Sequence, residues 1–108
     1  MSKKPFKCRI TVLKVTINQD LVDEYLDVGD DYGVCTRFQE GQEFVVEHPF
    51  QAPDDFCLWA WADIRKEILA LSMGADKPWL KQRGVEIVGC TDWYRPVYFK
   101  IETIKDAG

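Results

Sequence analysis

Val85-Glu86-Ile87-Val88-Gly89-Cys90-Thr91-Asp92-Trp93-Tyr94-Arg95-Pro96-Val97-Tyr98-Phe99-Lys100-Ile101-Glu102-Thr103-Ile104 is the stretch that decides the fold. Two runs rich in β-branched and aromatic residues, 84–90 and 96–104, flank five residues, Thr91 to Arg95, that fit an antiparallel hairpin loop. In the second run Val97, Phe99 and Ile101 alternate with Tyr98, Lys100 and Glu102, which marks a strand with one dry and one wet face. A hairpin this close to the end of the chain needs further strands and a covering element.

Both are legible upstream. Residues 8–17 are dense in β-branched side chains, with Cys8, Ile10 and Val12 in one phase and Leu13, Val15 and Ile17 in the other. A long strand with a bulge at the phase change accounts for this. Asn18 is placed to cap a short helix over about 19–27, with Asp20, Asp23 and Glu24 early and Gly29 beyond its end. Gly41 marks a turn before a strand through Phe44-Val45-Val46 that ends by His48-Pro49. The clearest helix spans about 56–73. Pro53-Asp54-Asp55 announces it, Cys57, Trp61, Ile64, Ile68 and Leu71 form one stripe at intervals of four and three, and Gly74 stops it. The expected architecture is α+β, a curled antiparallel sheet or small β-barrel packed against that helix.

The 108 residues suit a single domain, with 1–6 and 105–108 expected to fray. With 14 basic against 18 acidic residues, the basic ones scattered, a nucleic-acid face has little support. No signal-type h-region follows the basic start, and nowhere do about 18 uncharged apolar residues run together, so a membrane span is not expected. A cytoplasmic setting is the expectation. There Cys8, Cys35, Cys57 and Cys90 would stay reduced.

The candidate chemistry gathers at Cys90-Thr91-Asp92-Trp93-Tyr94-Arg95-Pro96, which places a thiol, a carboxylate and a guanidinium in one connection. Cys35, Cys57 and Cys90 all fall at element ends, where they could converge with Cys8 as a fourth ligand on a soft ion such as zinc, iron or copper. No pair has the close Cys-x-x-Cys spacing of a strong metal signature, and buried cysteines are commonly plain packing, a role that suits Cys8 and Cys57. A cysteine enzyme is the second reading. Cys90, or Cys57 at a helix N-terminus whose dipole favours thiolate, would act with Asp92 as proton handler and Arg95 as anion clamp on an anionic organic substrate. Against it, Asp92 in a hairpin loop is explained by an Asx turn, and Arg95 by pairing with Asp92, Asp63 or Glu86. His48 is the only histidine, before Pro49 in a polar loop, and reads as exposed. The acidic loop from Asp27 to Tyr32 lacks the ligand spacing of a helix-loop-helix calcium motif and reads as a solvated turn.

Four tryptophans remain. Trp59 and Trp61, two apart on a helix, point about 160° from each other, so only Trp61 joins the apolar stripe. Trp59, Trp61, Trp79 and Trp93, with Arg95, are the residues that could line a small-molecule cleft, or serve a third reading in which the cysteines are packing and the tryptophans make a homodimer or partner interface. Glycine-rich phosphate loops and serine nucleophile elbows are absent from the sequence.

The segments Phe38-x-Glu40-Gly41-Gln42-Glu43-Phe44, Phe56-Cys57-x-Trp59-Ala60-Trp61-x-Asp63-Ile64, Pro78-Trp79 and Cys90-Thr91-Asp92-x-x-Arg95-Pro96-Val97-x-Phe99-Lys100 resemble, over most of the chain, a family of small, functionally uncharacterised bacterial and archaeal proteins. The resemblance implies a shared fold and a recurrent set of cysteines, and no activity. The chain departs from the family pattern in the hairpin, where Gly89 stands in place of a cysteine and Trp93-Tyr94 in place of Gly-Leu, and at Thr36, where proline is usual after the cysteine. A bulkier loop and one thiol fewer are the consequences here.

Overall fold

The computed structural model describes residues 5–105, and their element order is β1 (Lys7–Val15), α1 (Gln19–Tyr25), β2 (Glu43–Val46), α2 (Leu58–Ser72), β3 (Val85–Gly89) and β4 (Val97–Ile104). The strands form one antiparallel sheet in the order β2-β1-β4-β3. It is α+β, as the patterning predicts. The barrel alternative is not realised: β2 and β3 remain separate edges, and the sheet is curled but unclosed.

The phase change in β1 has the predicted cause. Pairing with β4 runs evenly from Lys7↔Ile104 to Val12↔Phe99, then shifts between Val12 and Lys14 and resumes at Lys14↔Tyr98. The bulge turns Leu13 outward, and Gly41, whose φ of +88° suits glycine, docks its N–H on the Val12 carbonyl at 2.8 Å. The β3–β4 hairpin runs from Val85↔Glu102 to Gly89↔Tyr98, and Cys90 N–H donates to the Val97 carbonyl at 3.1 Å to close it.

One face of the sheet is dry. Cys8, Ile10, Val12, Val46, Val97, Phe99 and Ile101 are buried against Trp61, Ile64, Ile68 and Leu71 of α2, the stripe read from the sequence. Burying each large aliphatic here contributes about 1.5–3 kcal/mol. Phe38, Phe44, Phe56 and Phe99 fill one end, with the Phe38 and Phe99 rings edge to face at 5.1 Å. On the opposite face no helix of the described residues packs, and charges cross the strands instead: Arg9 meets Glu102 at 3.4 Å and Glu43 at 4.0 Å, and Lys100 meets Glu102 at 3.6 Å. Such exposed pairs contribute little each, but they keep an antiparallel sheet's wet face soluble.

The helix boundaries are tighter than expected. α2 starts at Leu58 with Cys57 as N-cap, and Gly74 (φ +90°) terminates it while Gly74 N–H and Ala75 N–H return to the Leu71 and Ala70 carbonyls. α1 stops at Tyr25 because Leu26 is already extended, so Gly29 plays no part in ending it. Asn18 precedes α1 without a side-chain cap bond, because its side chain is engaged elsewhere. Of the ends expected to fray, 1–6 and 105–108, residues 1–4 and 106–108 lie outside the described residues. Phe6, also expected to fray, instead donates its N–H to the Ser72 carbonyl at 2.8 Å. Among the described residues no helix is long and apolar enough to cross a membrane.

Candidate functional site

The hairpin loop 91–95 is held from three sides. On the α2 side, the Asp63 carboxylate accepts from the Thr91 backbone N–H at 2.7 Å and from the Thr91 hydroxyl at 3.0 Å, while Trp59 Nε1–H donates to the Thr91 oxygen at 2.9 Å. Trp59 and Asp63 are one helical turn apart, so both reach the loop from the same face of α2. Within the loop, Asp92 Oδ1 accepts from the N–H groups of Tyr94 and Arg95 at 3.2 Å, and Oδ2 lies 3.5 Å from Arg95 Nε. On the far side, Asn18 Nδ2 donates to the Trp93 carbonyl at 2.6 Å, Asn18 N–H to the Tyr94 carbonyl at 2.8 Å, and the Thr16 hydroxyl to the Pro96 carbonyl at 2.7 Å. The Arg95 guanidinium then lies over the Tyr32 ring, 4.7 Å from its centroid, and ties the 26–35 loop to the same corner. Asp92 is therefore a turn-forming residue, and Arg95 is its ion-pair partner.

The cysteines do not assemble. Among the described residues no group of three or more His, Cys, Asp or Glu side chains is placed to hold a metal ion, so the zinc, iron or copper site expected from Cys35, Cys57 and Cys90 with Cys8 gains no support. The physical reason is that each thiol is drawn into the packing around it. Cys8 is buried in β1 with its Sγ 3.9 Å from the Ile68 carbonyl, and burial pushes its thiol up to about 11. Cys90 is 9% exposed, and its Sγ accepts from Val97 N–H at 3.4 Å. Cys35 and Cys57, half-buried, lean on the rim of the core. The Cys57 side chain makes no cap bond to α2.

The tryptophans divide as their spacing implies. Trp61 is buried in the core, whereas Trp59 is 60% exposed, Trp93 66% and Trp79 76%. Trp59 and Trp93 share the hairpin corner, with exposed Leu58 beside them, and Trp79 sits apart in the loop after α2 with Lys77 near its ring. A depression of about 400 Å³ lies between α1 and the 26–32 loop and is lined by Gln19, Val22, Asp23, Leu26, Asp30 and Tyr32 among others. None of the tryptophans borders it. His48 is exposed, with Nδ1 accepting from Phe50 N–H at 3.3 Å.

Three participants went unforeseen. Asp63 serves Thr91 and not Arg95, the Asn18 side chain serves the hairpin and not its own helix, and Tyr32 carries Arg95. The four-residue spacing of Trp59 and Asp63 was a usable signal for the first. Nothing in the sequence spacing announces the other two, which join segments 75 and 63 residues apart. No protein-family model, curated protein or solved structure matches the chain.

Proposed function

We propose that the protein is a non-catalytic accessory module that meets a protein partner through the corner formed by Leu58, Trp59 and Trp93. The observation that carries this reading is the exposure of two tryptophans on a framework that cannot readily fold them away. Trp59 is fixed by its bond to Thr91, and the backbone at Trp93 is fixed by Asn18 and the Asp92 turn. Large aromatic surface left in water on a rigid support is the composition of an interface hot spot, because little side-chain entropy remains to be lost on binding.

The alternatives draw less from the geometry. A thiol enzyme centred on Cys90 would use a sulfur that is nearly buried and engaged by Val97 N–H, with an Asp92 whose two oxygens are already occupied. An anionic substrate at Arg95 would approach a loop that carries Asp27, Asp30 and Asp31. A cysteine pocket for a soft metal ion or small ligand needs thiols that converge, and here they serve separate parts of the core.

Photocrosslinking tests the proposal. A photoreactive residue at Leu58 should give one discrete protein adduct in the native cells, and the identified partner, purified, should bind wild type at least tenfold more tightly than Trp93→Ala. An adduct no stronger than from Ile87 on the open sheet face, or equal binding by Trp93→Ala, would refute it.

A further inference from the structure

The fold sorts charge to opposite ends of α2 in a way the linear sequence hides. Between Lys14 and Arg37 there is no basic residue, while Asp20, Asp23, Glu24, Asp27, Asp30 and Asp31 all fall there. Among the described residues none of these six pairs with a cation. Asn18 and Tyr32 bind this segment to the hairpin corner, so the carboxylates and the exposed Trp59 and Trp93 belong to one end of the molecule. Exposed Tyr25 and Val28 extend its apolar surface.

About 22 Å away, at the other end of the 15-residue α2, the signs reverse. Lys77, Lys81 and Arg83 occupy the loop between α2 and β3, and Arg83 and Lys105 line a depression shared with Phe6 and Gly74. Lys77 is matched by Glu86 and Arg83 by Asp76, which leaves Lys81 and Lys105 without an anionic partner among the described residues. Exposed Trp79, Met73 and Phe6 stand among these cations. Each end therefore offers tryptophan beside unpaired charges mostly of one sign, carboxylates at the first and Lys81 and Lys105 at the second.

We propose that the acidic, Trp59/Trp93-bearing end of one copy docks on the basic, Trp79-bearing end of a second copy, so that the chain assembles head to tail. This rests on the reading of the hairpin corner as an interface and names its partner. A two-fold dimer through either end would set like charges against each other, whereas the heterologous contact pairs opposite ones. The two surfaces lie at opposite ends of α2, so one copy can engage both at once. The β3 edge is blunted against strand addition at one point, where Glu86 Oε2 accepts the Ile87 N–H at 3.1 Å and Lys77 pairs with Glu86.

Sedimentation at a few hundred micromolar protein tests this, with variants changed only at exposed, unpaired charges. In about 20 mM salt the wild-type mass should rise with concentration to more than twice 12.5 kDa, and it should fall back to the monomer in about 500 mM salt. Asp27→Lys/Asp30→Lys blocks the acidic end and Lys81→Glu/Lys105→Glu the basic end. Each double variant alone should remain monomeric with an unchanged melting temperature. Mixing them presents an intact acidic end to an intact basic end, so the mixture should assemble in about 20 mM salt, where neither variant does so alone. A wild type that stays monomeric, a wild type that stops at a dimer, or blocked variants that still assemble would each overturn the proposal. A monomeric wild type whose Leu58 adduct is a different protein would sink the head-to-tail contact and keep the hairpin-corner interface. Absence of any adduct would remove both.

Discussion

The sheet–α2 core and the hairpin corner are built on opposite principles. In the core, Ile10, Ile64, Ile68, Phe99 and Ile101 are fully buried and held by shape and exclusion of water, with few polar atoms to satisfy. At the corner, Thr91, Asp92, Asn18 and Arg95 are joined by hydrogen bonds and one ion pair, while the large side chains, Trp59 and Trp93, point into water. The core spends its aromatics on stability and the corner withholds them from it. A region that fixes its backbone with polar bonds and leaves its tryptophans exposed is suited to contact something else.

If that contrast is right, truncation in the core should be far more damaging than at the corner. Phe99→Ala, which empties the space between the Phe38 and Phe56 rings, should destabilise the fold by about 4 kcal/mol in denaturant unfolding. A loss below about 1 kcal/mol would mean that the aromatic cluster is not the centre of the core.

Next comes the thiol of β1. Its pKa is raised from 9.0 to about 11 by burial, so the folded state holds this proton more tightly than the unfolded chain. The protonated core thiol thus contributes stability that is fully present below pH 9 and lost as pH rises towards 11, a loss of about 2 kcal/mol. Chemical denaturation across that range should show the decline, and Cys8→Val should flatten it. An equal decline in Cys8→Val would assign the effect to other groups.

Smaller effects probe the corner. Asp63→Ala removes the carboxylate that accepts twice from Thr91 and should lower global stability by about 1.5 kcal/mol. It should also speed hydrogen exchange at Thr91 N–H without loosening β1. Uniform acceleration over the sheet would mean that the corner is part of the core after all. Trp93→Ala should change stability by no more than about 0.5 kcal/mol, since the ring is mostly in water. A larger loss would show that the ring packs within the chain and is unavailable to a partner.

Much of this architecture is written locally. The alternation of Val97, Phe99 and Ile101, the stripe from Trp61 to Leu71 and the phase change in β1 each depend on a period of two or about 3.6 residues, and each appears in the fold at the expected place. The Asx turn at Asp92 was equally legible, because its bonds reach only two and three residues ahead. Sheet closure was not: whether β2 and β3 meet depends on curl accumulated over four strands. The metal set gains no support for a related reason. Element-end positions place cysteines near the rim, but the packing of each thiol decides where its sulfur points.

By itself, then, the amino-acid sequence determined the α+β class, the helical stripe, the bulge and the hairpin with its turn, since all of these follow from near-neighbour periodicity and backbone chemistry. Only the tertiary structure decided that Asn18 would serve the hairpin, that Asp63 would hold Thr91 and that the acidic segment would share an end with Trp59 and Trp93. Those pairings join residues 28 to 75 apart in the chain, where the partner is chosen by how the sheet and α2 pack and not by any spacing a sequence displays.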